Sequence, residues 1–484
     1  MRHRRVAAAG AVLVAVGVVT APAWSATAAT AGAPVVAVSP GLAWPHRPVT
    51  VSGSGFGAGP VVLRLDGALL ARVPVTAGRF TARVVVPGTE TPGAHRLTAV
   101  AGSRSASATL QTRVQWTQLG LYAAHRGANW YEHRLSPATV GQTVPLYQDS
   151  NSQTPNAGGV VLAQGLLVYG MDYGAMAINA VTGKTAWVYD NGLDALDSGI
   201  AYDPASGTTY LINNTPYLEQ LDTATGTPRN TPYMDLGINS VVSTGLTLAH
   251  GLLYLTGGTA SGVFSLIAVD PVSKTVRWRT PTNYAGTTPV LYNGVLYLAG
   301  HNLSAFNADT GQALWSVPLS PDGQAWGTQP AADAGGIILG VGDGSTRSYD
   351  AASGRLLWTT GPIGTDADTG RAVTIGGGLA FVDYGSQTFA LDEAATGAVV
   401  WQKPGGSAGS TYANGLLISQ IIDPAATQSS LTAVVAATGT LLSTFPVNSG
   451  PRTPPIVADG TIYIPDHGFD AFTLPAGVGG APTK

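Results

Sequence analysis

Few stretches of this sequence carry residue types at spacings that chemistry requires. Gly405-Gly-Ser-Ala-Gly409 matches G-x-S-x-G by letter. It falls in a loop between two expected strands, not on the strand–turn–helix elbow that exposes a serine nucleophile, so the match is read as accidental. His125 and His133 stand eight apart, with no metal-ligand spacing, and no H-E-x-x-H occurs. Asp366-x-Asp368-x-Gly370 starts like a calcium loop but has glycine at the third ligand position, and Gly377 stands where a bidentate glutamate is needed. Cysteine is absent, which removes disulfides, thiolate metal sites, a cysteine nucleophile and a lipidated cysteine. His125, Arg126, Trp130 and Tyr131 cluster in a leading segment, 115–134, and are expected to pack that segment onto the body of the protein.

The elements that would position any site repeat. Residues 287–315 read as four short strands, with the turn Asn293-Gly294 inside the first hairpin and Asp309-Thr310-Gly311 before Leu314-Trp315. The hairpin recurs at Gly165, Gly207, Gly251, Gly336, Gly378, Gly415 and Gly460, and a third strand ending in Asp or Asn, often as Ala-x-Asp/Asn, follows most copies. Trp187, Trp278, Trp315, Trp358 and Trp401 close successive copies at about 40 residues or twice that, the period of propeller blades. Their fixed place makes them core anchors, not a base-stacking platform. A lone four-stranded sheet cannot bury its own faces, so the copies must stack.

The motif Ala-Leu-Asp-x-x-Thr-Gly-x-x-x-Trp, matched in spacing by Ala305-Phe-Asn-Ala-Asp-Thr-Gly-Gln-Ala-Leu-Trp315 and with one extra residue at 390–401, resembles the PQQ-like repeat of quinoprotein alcohol dehydrogenase-like β-propellers, over residues 135–474. That group also includes the propeller lipoprotein of outer-membrane assembly. The resemblance implies an all-β chain with a propeller over 135–475, and the eight hairpin copies make eight blades. The eighth copy lacks its last strand, and residues 143–147 are expected to supply it, closing the ring and removing two open edges. Quinone-dependent members hold pyrroloquinoline quinone over calcium with a catalytic aspartate, and many add a vicinal cysteine pair. This chain has no cysteine and no matching carboxylate-plus-asparagine set, so neither PQQ nor calcium is expected.

A ligand site is expected where the loops leading into each inner strand ring the channel. Aligning the hairpins on their glycines puts Ser198, Thr244, Thr287, Gln329, Arg371 and Thr453 at or near equivalent positions, with Arg452 adjacent. Asp194, Asp197, Trp326, Asp366 and Asp368 lie on longer loops of the same face. Arg371 is the one charge in the inner ring, to be neutralised by Asp366 or Asp368 or by an anionic ligand.

The N-terminal quarter differs. Arg2, Arg4 and Arg5 precede an apolar run and small residues, a signal peptide expected at 1–28 and too short to span a membrane. Residues 33–114 hold seven short alternating runs, and Pro48–Phe56 resembles an early strand of IPT/TIG-type Ig-like domains, which implies a β-sandwich. Residues 476–484 read as a flexible tail. With 11% charged residues and a net charge of −3, nothing favours nucleic acid. The expectation is a secreted, monomeric, non-catalytic binding or scaffold protein with an extracellular protein, peptide or carbohydrate ligand. The alternatives are a PQQ-dependent oxidoreductase and a polysaccharide hydrolase or lyase, which a pair of carboxylates at the mouth would favour.

Overall fold

The computed structural model describes residues 32–479 apart from 149–154, 156–158, 172–173, 191–198, 213–215, 230–232, 242–244, 260, 283–286, 321–325, 365–372, 395, 406–408, 422–429, 448–452 and 467. The expected signal peptide and the end of the expected tail lie outside the described residues. Strands dominate, and among the described residues no helix is long and apolar enough to cross a membrane. The chain divides into two compact units, 1–113 and 114–484.

The first unit contains two sheets. One joins Val35–Ser39, Pro48–Ser54 and Arg79–Val85; the other joins Val61–Leu65, Ala68–Val73, Gly93–Ala101, Arg104–Thr112 and a short strand, Leu42–Ala43, that the sequence did not announce. Alternation along Arg79–Val85 buries Phe80, Ala82 and Val84 and exposes their neighbours. Those side chains meet Leu63, Leu65, Leu97, Ala99 and Leu110 of the other sheet in one apolar core.

The second unit is built of eight sheets in chain order among the described residues, antiparallel except that the short strand Ala128–Asn129 runs parallel to Ser410–Ala413 in the seventh. The fourth sheet shows the design: Val290–Tyr292, Val295–Ala299, Asn302–Asn307 and Ala313–Pro318 follow one another across the sheet. Its first hairpin turns on Asn293 and Gly294, both at positive φ (49° and 79°), as the Asn-Gly pair demands. The Ala-x-Asn end of the third strand also has a job: Asn307 Oδ1 accepts the backbone N–H groups of Asp309 and Thr310 and holds the next turn.

Neighbouring sheets lock together at the tryptophans. Trp278, Trp315 and Trp358 each donate Nε1–H to a carbonyl of the following sheet, at Ala308, Ala351 and Glu393, over 3.1, 3.3 and 2.9 Å. Each indole also covers the glycine turn of that following sheet. A Cβ on Gly311, Gly354 or Gly397 would lie 2.5, 2.6 or 2.3 Å from the ring, so the turn needs glycine for space as well as for its positive φ. Trp187 with Gly226, and Trp401 with Gly439, repeat the contact.

The ends of the second unit are joined as expected. Val144–Gln148 pairs antiparallel with Gly468–Thr473, Val144 opposite Thr473 and Tyr147 opposite Ala471, with a bulge between Pro145 and Tyr147. At this seam Tyr147 takes the place of a tryptophan: its ring lies 2.7 Å from where a Cβ on Gly183, the turn glycine of the first sheet, would stand.

Candidate functional site

One strand of every sheet is bonded to the leading segment, and at the same position along the strand. Trp116 exchanges two backbone hydrogen bonds with Leu162 of the first sheet, and Thr117 O accepts from Tyr202 N–H of the second at 2.7 Å. The Gln118 amide bonds both backbone groups of Leu248 in the third. Carbonyls of Ala123, Ala124, Arg126 and Gly127 accept from Leu291, Ala332, Ile375 and Tyr412 in the fourth to seventh sheets. Asn129 Nδ2 then donates to Val457 O of the eighth at 2.7 Å. All eight partners are the penultimate residue of their strand. The segment thus visits eight inner strands in order and satisfies backbone groups that a bare channel would leave to water. Glu132, 4% exposed, finishes the course: Oε1 accepts from Arg134 and Leu135 N–H, and Oε2 from Gly460 N–H.

Packing of this segment meets the expectation for His125 and Arg126. His125 is buried, and Arg126 Nε–H donates to Ala332 O. Trp130 and Tyr131 depart from it: both are largely exposed, although the Trp130 ring rests 5.4 Å from that of Tyr412.

Between the segment and the leading ends of the inner strands lies a cavity. Trp116, Leu119, Gly120, His125 and Gly127 of the segment line it, with Gln329, Thr374, Ser410 and Thr453 among the strand-end residues. The centre of a water molecule can range over about 20 Å³ of it, room for one or two waters. Two buried polar atoms here have no hydrogen-bond partner among the described residues, His125 Nδ1 and Thr453 Oγ1. The His125 tautomer follows from its neighbours. Thr247 gives its hydroxyl proton to Pro289 O, so it must accept from His125 Nε2–H, leaving a bare lone pair on Nδ1. Burial pushes the imidazole pKa down to about 3, so the ring stays neutral. The cavity therefore offers an acceptor and a hydroxyl, arranged to hold ordered water or a small hydroxyl-bearing group.

Of the residues expected at the mouth, the structure brings Gln329 and Thr453 to this cavity; Thr287 and Trp326 do not line it. Gln329 spends its amide on the fourth sheet, accepting from Thr288 N–H and donating to Thr288 O, both at 2.9 Å. Thr287 bonds Ala299 across its own hairpin, and the Trp326 ring sits 4.2 Å from that of His301. Asp194, Asp197, Ser198, Thr244, Asp366, Asp368, Arg371 and Arg452 lie outside the described residues, as does the centre of the G-x-S-x-G stretch.

A pair of carboxyl groups does occur, away from that cavity. Glu393, 9% exposed, follows the third strand of the sixth sheet and hydrogen-bonds Asp333 at the end of the first strand of the fifth. Burial, and then the Asp333 carboxyl beside it, push Glu393 up to about 8, and Arg126 offsets this in part. Sequence reasoning missed the pair because the residues lie in different repeats.

Comparisons with known proteins agree with this architecture. Residues 197–361 match the family model described as outer membrane protein assembly factor BamB. Among solved structures, the quinohemoprotein alcohol dehydrogenase from Comamonas testosteroni is similar with a TM-score of 0.60 at 14% identity, over 77% of this chain and 82% of that one. BamB from Moraxella catarrhalis gives 0.53 at 14% identity, over 69% and 99%, and the computationally designed Ika8 protein gives 0.55 at 13%, over 68% and 99%. No curated protein matches in sequence. The second unit has the β-propeller fold of these structures.

Proposed function

We propose that the chain is a secreted, non-catalytic binding or scaffold protein. An eight-bladed propeller would present its mouth to an extracellular protein, peptide or carbohydrate, with an IPT/TIG-type Ig-like domain ahead of it as spacer or adhesive module. Eight sheets in chain order, with the last completed from before the first, support the blade count. Two sheets about one core support the Ig-like reading.

The observation that carries the binding reading is the occupied axis. The chain's own segment 116–129 bonds all eight sheets there, and the cavity that the described residues line beside it has room for water but not for a tricyclic quinone. Nor does its lining suit the cofactor: the described side chains there are Trp, Leu, His, Val, Gln, Thr, Ser, Pro and Ile, with no carboxylate to hold calcium. The residues present do not fit PQQ, and no step is derived through it. The likeness to BamB of Moraxella, whose family is described as an assembly factor, supports scaffolding.

Two experiments test this. Added PQQ and calcium should leave the melting curve unshifted and support no dye reduction with alcohols; a rise of several degrees with turnover revives the oxidoreductase. A photo-crosslinking residue at Thr287, expected at the mouth, should give a discrete adduct outside the producing cell, and one at Val272, on a turn 83% exposed, should not. Equal labelling at both sites sinks the reading.

A further inference from the structure

One interface between neighbouring sheets of the second unit departs from the repeat. Ala177, Ala268, Ala305, Ser348 and Ala390 each stand opposite a tryptophan of the next strand. By strand alternation the residue just before each of them points to the preceding sheet. It is Met176, Ile267, Arg347 or Phe389 in four of the five, and Ser304 in the remaining one, the fourth sheet. The large residues are spent on packing: Ile267 is fully buried, Phe389 packs on Tyr384, and Arg347 donates to Leu319 O and pairs with Asp343. The facing strand changes too. Four residues after its tryptophan the fourth sheet carries Leu319, fully buried against the fifth, whereas the third sheet carries Thr282 at that place.

Two small polar residues thus stand where the next interface has two large ones, and a groove opens between the third and fourth sheets. Thr282, Leu298, Asn302, Ser304, Phe306 and Ser316 line it. The centre of a water molecule can range over about 280 Å³ of it, against about 20 Å³ in the axial cavity. That is close to the lower end of sites that take small organic ligands, roughly 300–1,000 Å³.

The lining sets the class of ligand. Among the described residues no carboxylate, lysine or arginine lines the groove, so it offers no partner to an ionic group. Leu298 and Phe306, both nearly buried, give it an apolar surface. Beside them runs a polar row: Asn302 Nδ2–H donates to Ser316 Oγ at 2.9 Å, and Ser316 and Ser304 share a hydrogen bond at 2.8 Å. The row orders itself without being used up. One hydroxyl hydrogen passes between the serines, which leaves the other free, together with Asn302 Oδ1 and the second amide N–H. A matching ligand carries closely spaced groups that both donate and accept, next to apolar C–H. A pyranose ring has both. A peptide docks on an open strand edge or through an apolar anchor, but Asn302 and Ser304 belong to a strand already paired on both sides. We propose that this groove binds neutral carbohydrate. The inference rests on the binding reading above, narrows its ligand class, and puts the sugar beside Ala299, which Thr287 bonds.

The test titrates the full chain with cellotriose, maltotriose and triacetylchitotriose by calorimetry and saturation-transfer NMR. At least one should bind with Kd about 1 mM or tighter, and the acidic trigalacturonate should not. Ser304→Met and Thr282→Leu give the groove the bulk that other sheets carry. Each should weaken sugar binding tenfold or more with the melting temperature unchanged or raised, and having two such variants guards against one that misfolds. Asn302→Ala should weaken binding roughly three- to tenfold. No binding of these sugars or of an array of neutral glycans overturns the site, as does equal binding by wild type and both filled variants. Preference for the acidic sugar also overturns it, and so does uptake of uncharged peptides that the filled variants lose. A crosslink at Thr287 without sugar binding sinks this site alone; sugar binding without the crosslink sinks only the mouth.

Discussion

Trp358 and Gly397 act as one joint. The indole sits where any side chain on the glycine would go, and its N–H holds the Glu393 carbonyl. Trp358→Ala should cost about 3–5 kcal/mol by denaturant unfolding. Gly397→Ala should cost more in the wild type than beside Trp358→Ala, where the methyl group has room; equal costs in the two backgrounds would show that the ring is not the obstacle. The pair was half legible. Repetition singled out the tryptophans and the turn glycines separately, but not that each tryptophan serves the following copy. Tyr147, which does that work at the seam, carries no repeat signal at all.

Glu393 gives a pH test at the same scale. Its folded pKa stands above the unfolded value, so the folded state binds the proton more tightly. The stability it contributes is present at low pH and is lost as pH rises from the ordinary carboxyl range through about 8. Glu393→Gln keeps a donor for Asp333 without the charge. It should therefore raise the melting temperature at pH 8 relative to wild type and change it little at pH 5. A constant difference across that range would place the strain elsewhere.

Among the elements, the leading segment decides most. It has no strand alternation, and its bonds to the eight sheets run through its own backbone or through single amides such as Gln118 and Asn129, so no residue pattern advertised its course. The hairpins were legible because Asn-Gly and Ala-x-Asp recur; the segment occurs once. Glu132→Ala should strip three backbone N–H groups of their acceptor and cost roughly 1–3 kcal/mol for each left unsatisfied. Glu132→Gln, which keeps one amide oxygen, should cost less. Comparable losses would mean that the negative charge, not the hydrogen bonds, matters.

For the whole second unit, the seam between Val144–Gln148 and Gly468–Thr473 is the test. Deleting 135–150 leaves the last sheet with an unpaired edge and Gly183 without its ring, so the product should aggregate on folding. A monomeric deletion that melts cooperatively, as light scattering and calorimetry would show, overturns the closure. The seam was legible from a missing strand at one end and a spare one at the other. The site was less so: Gln329 and Thr453 were placed by alignment, but His125 gained its bare nitrogen from Thr247, a partner 122 residues away.

The course of the leading segment also sets a schedule. Asn129 emerges early from the ribosome, yet the carbonyl it holds belongs to a residue 328 positions later. At roughly 5–20 residues per second, that is about 15–65 s of synthesis during which the segment has polar backbone and few partners. Each finished sheet supplies one more, in the order the segment will use them. The molecule is thus assembled like a drawstring threaded before its eyelets exist, and any delay in the last sheet holds the whole circle slack.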